Sequence, residues 1–140
     1  MELECDSDQG KKPTVLCLRK ETYQNSNFRT AIWTGEHLQI TLMNIPAGGE
    51  IGLERHDHLD QMLYIESGCA SVYMGKTKES VAYLDTVRSG SAVVIPTGTW
   101  HNLINAQNTT VKLFSVYAPP QHPFCTVHKT KFDSDLAERD

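Results

Sequence analysis

The 140-residue chain has no run approaching the ~20 consecutive apolar residues that cross a bilayer as a helix. Its polar first dozen residues hold no apolar signal core, so the expectation is a cytoplasmic protein with no membrane partner. A basic block is also missing. The 13 Lys and Arg are outnumbered by 17 Asp and Glu, giving a formal net charge of -4. Counterion release therefore has no electrostatic footprint, and nucleic acid is not an expected partner. Cysteine is sparse and never paired: Cys5, Cys17, Cys69 and Cys125 stand singly, without the spacing of a zinc or redox motif. Free thiols in a reducing compartment are the simpler expectation, with a disulfide as the minor alternative. No glycine-rich phosphate cradle or Arg/Lys cluster appears.

What is present has the rhythm of strands. Short apolar or alternating stretches fall at residues 15–18, 30–34, 38–45, 61–65, 70–74, 92–95 and 111–117, most of them rich in β-branched or aromatic residues. Turn signals separate them, among them Pro46-Ala47-Gly48-Gly49, Ser67-Gly68, Ser89-Gly90 and Pro96-Thr97-Gly98. With hydrophobic residues at 39% and charged residues at 21%, neither disorder nor a coiled coil fits. The pattern predicts one all-β domain, a small jelly-roll barrel that closes its sheet and so removes exposed edges. The expected boundaries are an N-terminal arm over 1–27, frayed at its start, a barrel over 28–120 and a C-terminal tail over 121–140. The charged end of that tail reads equally as a short surface helix or a disordered end.

Two segments about forty residues apart concentrate the histidines and glycines. In the first, Gly48 is followed by five residues, then Glu54, Arg55, His56, four residues, Gln61, six residues and Gly68. In the second, Gly90 precedes Pro96, Gly98, His101 and Asn105 at intervals of five, one, two and three residues. Together these segments resemble the two signature motifs of the cupin family. The second matches at every fixed position. The first matches in spacing but carries Glu54 where the family has its first His and Gln61 where it has Glu. Resemblance implies a cupin double-stranded β-helix and a single divalent transition metal (Zn, Fe, Mn or Ni) held by Glu54, His56, Gln61 and His101.

Strand geometry is consistent with that set. Residues 54 and 56 share a face at period two, a bulge or turn near residues 57–60 returns Gln61 to it, and the Pro96–Gly98 turn directs His101 inward. An alternative register uses His56, His58 and His101, because His56 and His58 also share a face. Flanking the set, His58 and Asp60 are candidate acid/base residues. Tyr64, Tyr73, Trp33 and Trp100 are expected in the core, with pocket lining as the alternative. His122 and His128, in a proline-rich excursion, are expected on the surface.

The chain further resembles a subgroup of single-domain cupins described as mannose-6-phosphate isomerase-like, on the segments Trp33–His37 and Trp100–Asn102. Phosphomannose isomerases of the superfamily bind zinc with two His, one Glu and one Gln, so the resemblance implies a sugar-phosphate isomerase-like enzyme acting on a small carbohydrate. A cupin-type dioxygenase and a non-enzymatic small-molecule or sugar-binding module stay open beside it. Small cupins commonly pair, and a homodimer binding a small molecule is the expected state.

Overall fold

The computed structural model describes residues 5–138. It contains nine strands: β1 (Arg29–Thr34), β2 (Gln39–Ile45), β3 (Asp60–Ser67), β4 (Cys69–Gly75), β5 (Ala82–Arg88), β6 (Ala92–Ile95), β7 (Trp100–Ile104), β8 (Val111–Ala118) and β9 (Val127–His128). Two short helices flank them, α1 (Leu18–Gln24) and α2 (Lys131–Ala137). All pairings are antiparallel, in a six-stranded sheet of order β6-β3-β8-β2-β1-β9 and a three-stranded sheet of order β5-β4-β7. This is the expected all-β double-stranded helix. Among the described residues no helix is long and apolar enough to cross a membrane.

The position of the site follows from the inner faces of β2, β3 and β8. Along β8 the inward residues at period two are Val111, Leu113, Ser115 and Tyr117, passing from apolar to polar. Their register partners make the same change: Leu113 faces Met43 and Ile65, Ser115 faces Thr41 and Leu63, and Tyr117 faces Gln39 and Gln61. All are buried. One end of the barrel is therefore a packed apolar floor, continued by Ile45, Val72 and Leu103. Each such side chain contributes roughly 1.5–3 kcal/mol on burial. The other end is a polar mouth whose buried groups have to find partners.

Six of the seven expected strands are present. Residues 15–18 are the exception, because they form no strand. Val15 projects into solvent, while Leu16 and Leu18 cover an outer apolar cluster of Ile32, Leu42 and Phe114. The four aromatics expected in the core are only partly buried and lie outside the lumen. Tyr64 stacks on Phe114 at 5.1 Å, Tyr73 packs edge-on against Tyr83, Trp33 Nε1 donates to the Lys12 carbonyl, and Trp100 lies beneath Arg55. The tail resolves as a helix, α2, whose first turn is capped by Thr130 and Asp133 in reciprocal hydrogen bonds.

The start of the chain is not frayed over residues 5–12. Gln9 N–H donates to the Ile32 carbonyl at 2.9 Å, and the buried Asp8 carboxylate accepts from Thr34 Oγ1 at 2.6 Å, Gly10 N–H at 3.0 Å and Cys125 N–H at 3.0 Å. Beside it Cys5 and Cys125 form a disulfide, with Cα atoms 6.0 Å apart. This corrects the expectation of four free thiols. Singly spaced cysteines 120 positions apart give no local signal of a pairing that arises only when Asp8 and Gln9 dock the N-terminal segment against β1 and Cys125.

Candidate metal centre

Glu54 lies in the connection between β2 and β3, where no strand forms around residues 54–56, and it pairs with His101 of β7 as an isolated bridge, Glu54 N–H to the His101 carbonyl at 3.0 Å and His101 N–H to the Glu54 carbonyl at 2.9 Å. Gly98, in a left-handed conformation (φ +80°) that an L side chain would strain, turns the chain so that its own N–H reaches the His56 carbonyl at 2.8 Å. These main-chain bonds aim three side chains at one point. Glu54 Oε1 lies 3.3 Å from His101 Nε2 and 3.4 Å from His56 Nε2, and one ligand atom from each residue falls within 4.8 Å of the others. The His56 and His101 rings are 5.4 Å apart.

The chemistry of the donors tests whether a cation suits them. His101 Nδ1 is 2.9 Å from the Thr99 carbonyl, which can only accept. In a neutral ring the proton therefore sits on Nδ1, and Nε2 turns a lone pair toward the Glu54 carboxylate. Two acceptors face each other at hydrogen-bond distance. Either a proton or a metal ion has to lie between them. Burial alone would raise the Glu54 carboxyl, but the hydrogen bond with His101, the nearby His56 ring and the charge those rings can carry outweigh it and hold the group well below the usual carboxylate range. His56 Nε2 and Gln61 Oε1 are both buried without a hydrogen-bond partner among the described residues. An unpartnered ring nitrogen and an unpartnered amide oxygen next to an ionised carboxylate are what a divalent ion of the borderline type would satisfy.

Gln61 starts β3 on its inner face and is 3% exposed. Its amide donates to Ser115 Oγ at 2.9 Å, which leaves the oxygen as the free end. His58 is exposed. Asp60 is also exposed, and its carboxylate accepts from both the N–H and the hydroxyl of Thr97 at 2.9 Å. Those bonds lower its pKa. The loops of the two motifs are thereby tied together next to the triad. Asn105 acts on the backbone: its amide donates to the carbonyls of Ile45, Pro46 and Thr109.

A pocket of about 490 Å³ opens beside Glu54 and His56, and its far wall is the segment expected on the surface. His122 and His128 are each 9% exposed and line it together with Gln121, Thr126 and Glu138. Gln39, fully buried on β2, holds this segment in place. Its oxygen accepts from the Gln121 and His122 N–H groups, and its amide donates to the His122 carbonyl at 2.9 Å. His122 Nε2 lies 3.3 Å from the Tyr117 hydroxyl. Burial, together with the Arg29 charge, pulls the His122 pKa down to about 3 and lowers that of His128, while burial raises the Tyr117 phenol. Sequence reasoning missed Gln39 and Arg29. An amide and a cation inside runs that pack on both faces were the available signal.

A profile of the Cupin domain family matches residues 41–117. The chain is 53% identical over 131 residues to the uncharacterised protein YrkC of Bacillus subtilis, covering 94% of this chain and 70% of that one. It is 39% identical over 110 residues to protein L612 of Acanthamoeba polyphaga mimivirus, covering 78% and 67% respectively. Among solved structures, BH2720 from Bacillus halodurans superposes with a TM-score of 0.91 at 48% identity, covering 93% of this chain and 98% of that one. TT1209 from Thermus thermophilus is similar in fold, with a TM-score of 0.61 at 22% identity over 75% of this chain and 96% of that one. With both motifs in place around the triad, and a family profile and relatives spanning most of its length, the chain belongs to the cupin family.

Proposed function

We propose that this protein is a metal-dependent cupin in which Glu54, His56 and His101, with Gln61 as a fourth donor, hold one divalent transition ion at the inner end of a small-molecule pocket. The observation that carries this reading is the meeting of half-buried Glu54 and His56 with buried His101 in one cluster. A resident ion there would supply a Lewis acid next to the pocket. The chain's own part is to keep His101 in the Nδ1–H tautomer through Thr99, to keep Glu54 ionised, and to orient Gln61 through Ser115.

Three activities fit such a centre. An isomerase-like enzyme of the mannose-6-phosphate isomerase-like kind would need a proton carrier, for which His58 is the better candidate, because Asp60 is already occupied by Thr97. A dioxygenase would need only the pocket and the ion, and a binding module would need neither base. Arg55 pairs with Asp57 at 2.8 Å, which leaves it poorly placed to receive a phosphate dianion. A homodimer belongs to the proposal as well, and exposed Tyr83, Leu84 and Val94 offer apolar surface for it.

Untagged protein is expected to carry close to one equivalent of a first-row divalent metal by elemental analysis. Turnover in a sugar-phosphate screen selects the isomerase, oxygen uptake the dioxygenase, and ligand binding without turnover the binding module. Metal-free protein that takes up no Zn, Fe, Mn or Ni on titration would sink the reading.

A further inference from the structure

The pocket wall opposite the triad contains a buried charge that the metal reading does not use. Arg29, at the start of β1 and 2% exposed, is the guanidinium behind that wall. Its Nη1 donates to Ser134 Oγ at 2.7 Å and to His128 Nδ1 at 3.0 Å, and its Nε is buried with no partner among the described residues. Both hydrogen-bond partners are neutral. The carboxylate recorded against it is Glu138, 3.9 Å away, with a side chain 44% exposed at the pocket rim. A buried cation held mainly by neutral groups is costly, and an anion brought to it is favoured accordingly.

Arg29 also sets what the wall presents. A guanidinium has no acceptor, so His128 Nδ1 must accept from it, and the neutral ring carries its proton on Nε2. That N–H makes no hydrogen bond among the described residues, and His128 lines the pocket. We propose that this wall is an anion-receiving end of the pocket, and that the ligand is a small monocarboxylic acid with a second oxygen donor. Its carboxylate is received by His128 in front of Arg29, where Glu138 now stands, and the second oxygen points to the Glu54–His56–His101 centre. The charges match a monoanion: one guanidinium stands behind the neutral His122 and His128 rings, and Arg55, the cation that lines the pocket, is held by Asp57, whereas a phosphate dianion would call for two or more free cations. Glu138, at the end of α2, is in this view an internal competitor that a ligand displaces.

The metal-directed half of this inference rests on the proposed metal centre, and the anion end does not, so the test separates them. In metal-free protein, an NMR titration with acetate is expected to move the His128 and Glu138 resonances saturably, while neutral acetamide does not. With metal bound, calorimetry is expected to show lactate binding at least about tenfold more tightly than lactamide, a difference of about 1.4 kcal/mol. Glu138→Gln is expected to tighten lactate about two- to fivefold, as suits a partly exposed ion pair. His128→Phe is expected to weaken it roughly tenfold through loss of one hydrogen bond to a charged group. Equal responses to acetate and acetamide, phosphate binding more tightly than lactate, or lactate affinity unchanged in both variants would each overturn the proposal. A failed metal titration with the acetate preference intact would instead remove only the metal reading.

Discussion

His101→Ala is expected to lose at least about 100-fold in divalent-metal affinity, measured by calorimetric titration of the metal-free protein. The loss exceeds the 10- to 100-fold usual for an outer-shell partner because a ligand itself is removed. What stays behind is one imidazole, one carboxylate and an amide oxygen, the last a weak donor. The variant also deprives Glu54 of a hydrogen bond that keeps it ionised, so its carboxyl pKa rises toward the ordinary range and a proton competes better with the ion for the carboxylate. His58→Ala is expected to keep wild-type affinity. Equal loss in both variants would favour the register in which His56, His58 and His101 are the ligands, and retention in both would show that neither histidine is needed.

Acid is expected to destabilise the metal-free protein from below neutrality, earlier than carboxylate protonation alone would do. His122 is neutral in the folded state, with its pKa held at about 3 by burial and by Arg29, while in the unfolded chain it titrates near 6.5. Its folded pKa is the lower one, so its contribution is complete above about pH 6.5 and is lost as pH falls toward 3. At about 1.4 kcal/mol per pH unit, the decrease between pH 7 and 4.5 is about 2–3 kcal/mol. His128 shifts in the same direction and adds to it. The Glu54 contribution has the same sign but begins lower, as pH drops through the ordinary carboxylate range. Urea unfolding at the two pH values checks this. His122→Gln, which retains a side-chain donor toward Tyr117 but cannot ionise, is expected to flatten the difference. An unchanged pH dependence in that variant would show that His122 is not the group responsible.

Much of the barrel could be read from the chain because its strands alternate or run apolar between strong turn residues, as at 38–45 and 111–117. Three strands escaped, β5, β7 and the two-residue β9, the first two for a physical reason. β5 is largely exposed, with Tyr83 and Leu84 facing solvent, so no buried face imposed a period on Ala82–Arg88. β7 carries its chemistry in place of a hydrophobic pattern, since His101 occupies an inward position that an aliphatic residue would otherwise take. Convergence of Glu54, His56 and His101 was legible through the resemblance of their spacing to the cupin motifs, with the His56, His58 and His101 register open beside it. Nothing local reported the opposite wall: His122 becomes a pocket residue because Gln39, more than eighty positions earlier, holds residues 121–122 with three hydrogen bonds, and His128 because β9 pairs with β1 beside Arg29. A tertiary anchor of this kind leaves no trace in the residues it places.

The strand order β6-β3-β8-β2-β1-β9 sets a timetable for the nascent chain. β8 lies between β2 and β3, so neither of these two strands can complete its hydrogen bonding until Val111–Ala118 has left the ribosome. Until then Leu63, Ile65, Met43 and Ile45 have no strand to close over them, and the unpaired edges of β2 and β3 remain open to other chains. Closure then happens in one late event that unites contacts about 50 to 80 positions apart, a topology associated with slow folding and exposure to aggregation during synthesis. The pocket wall is later still, since β9 and α2 follow β8. A chain truncated near residue 120 and released from the ribosome would thus hold Glu54, His56 and His101 in a closed barrel without any means of enclosing a ligand.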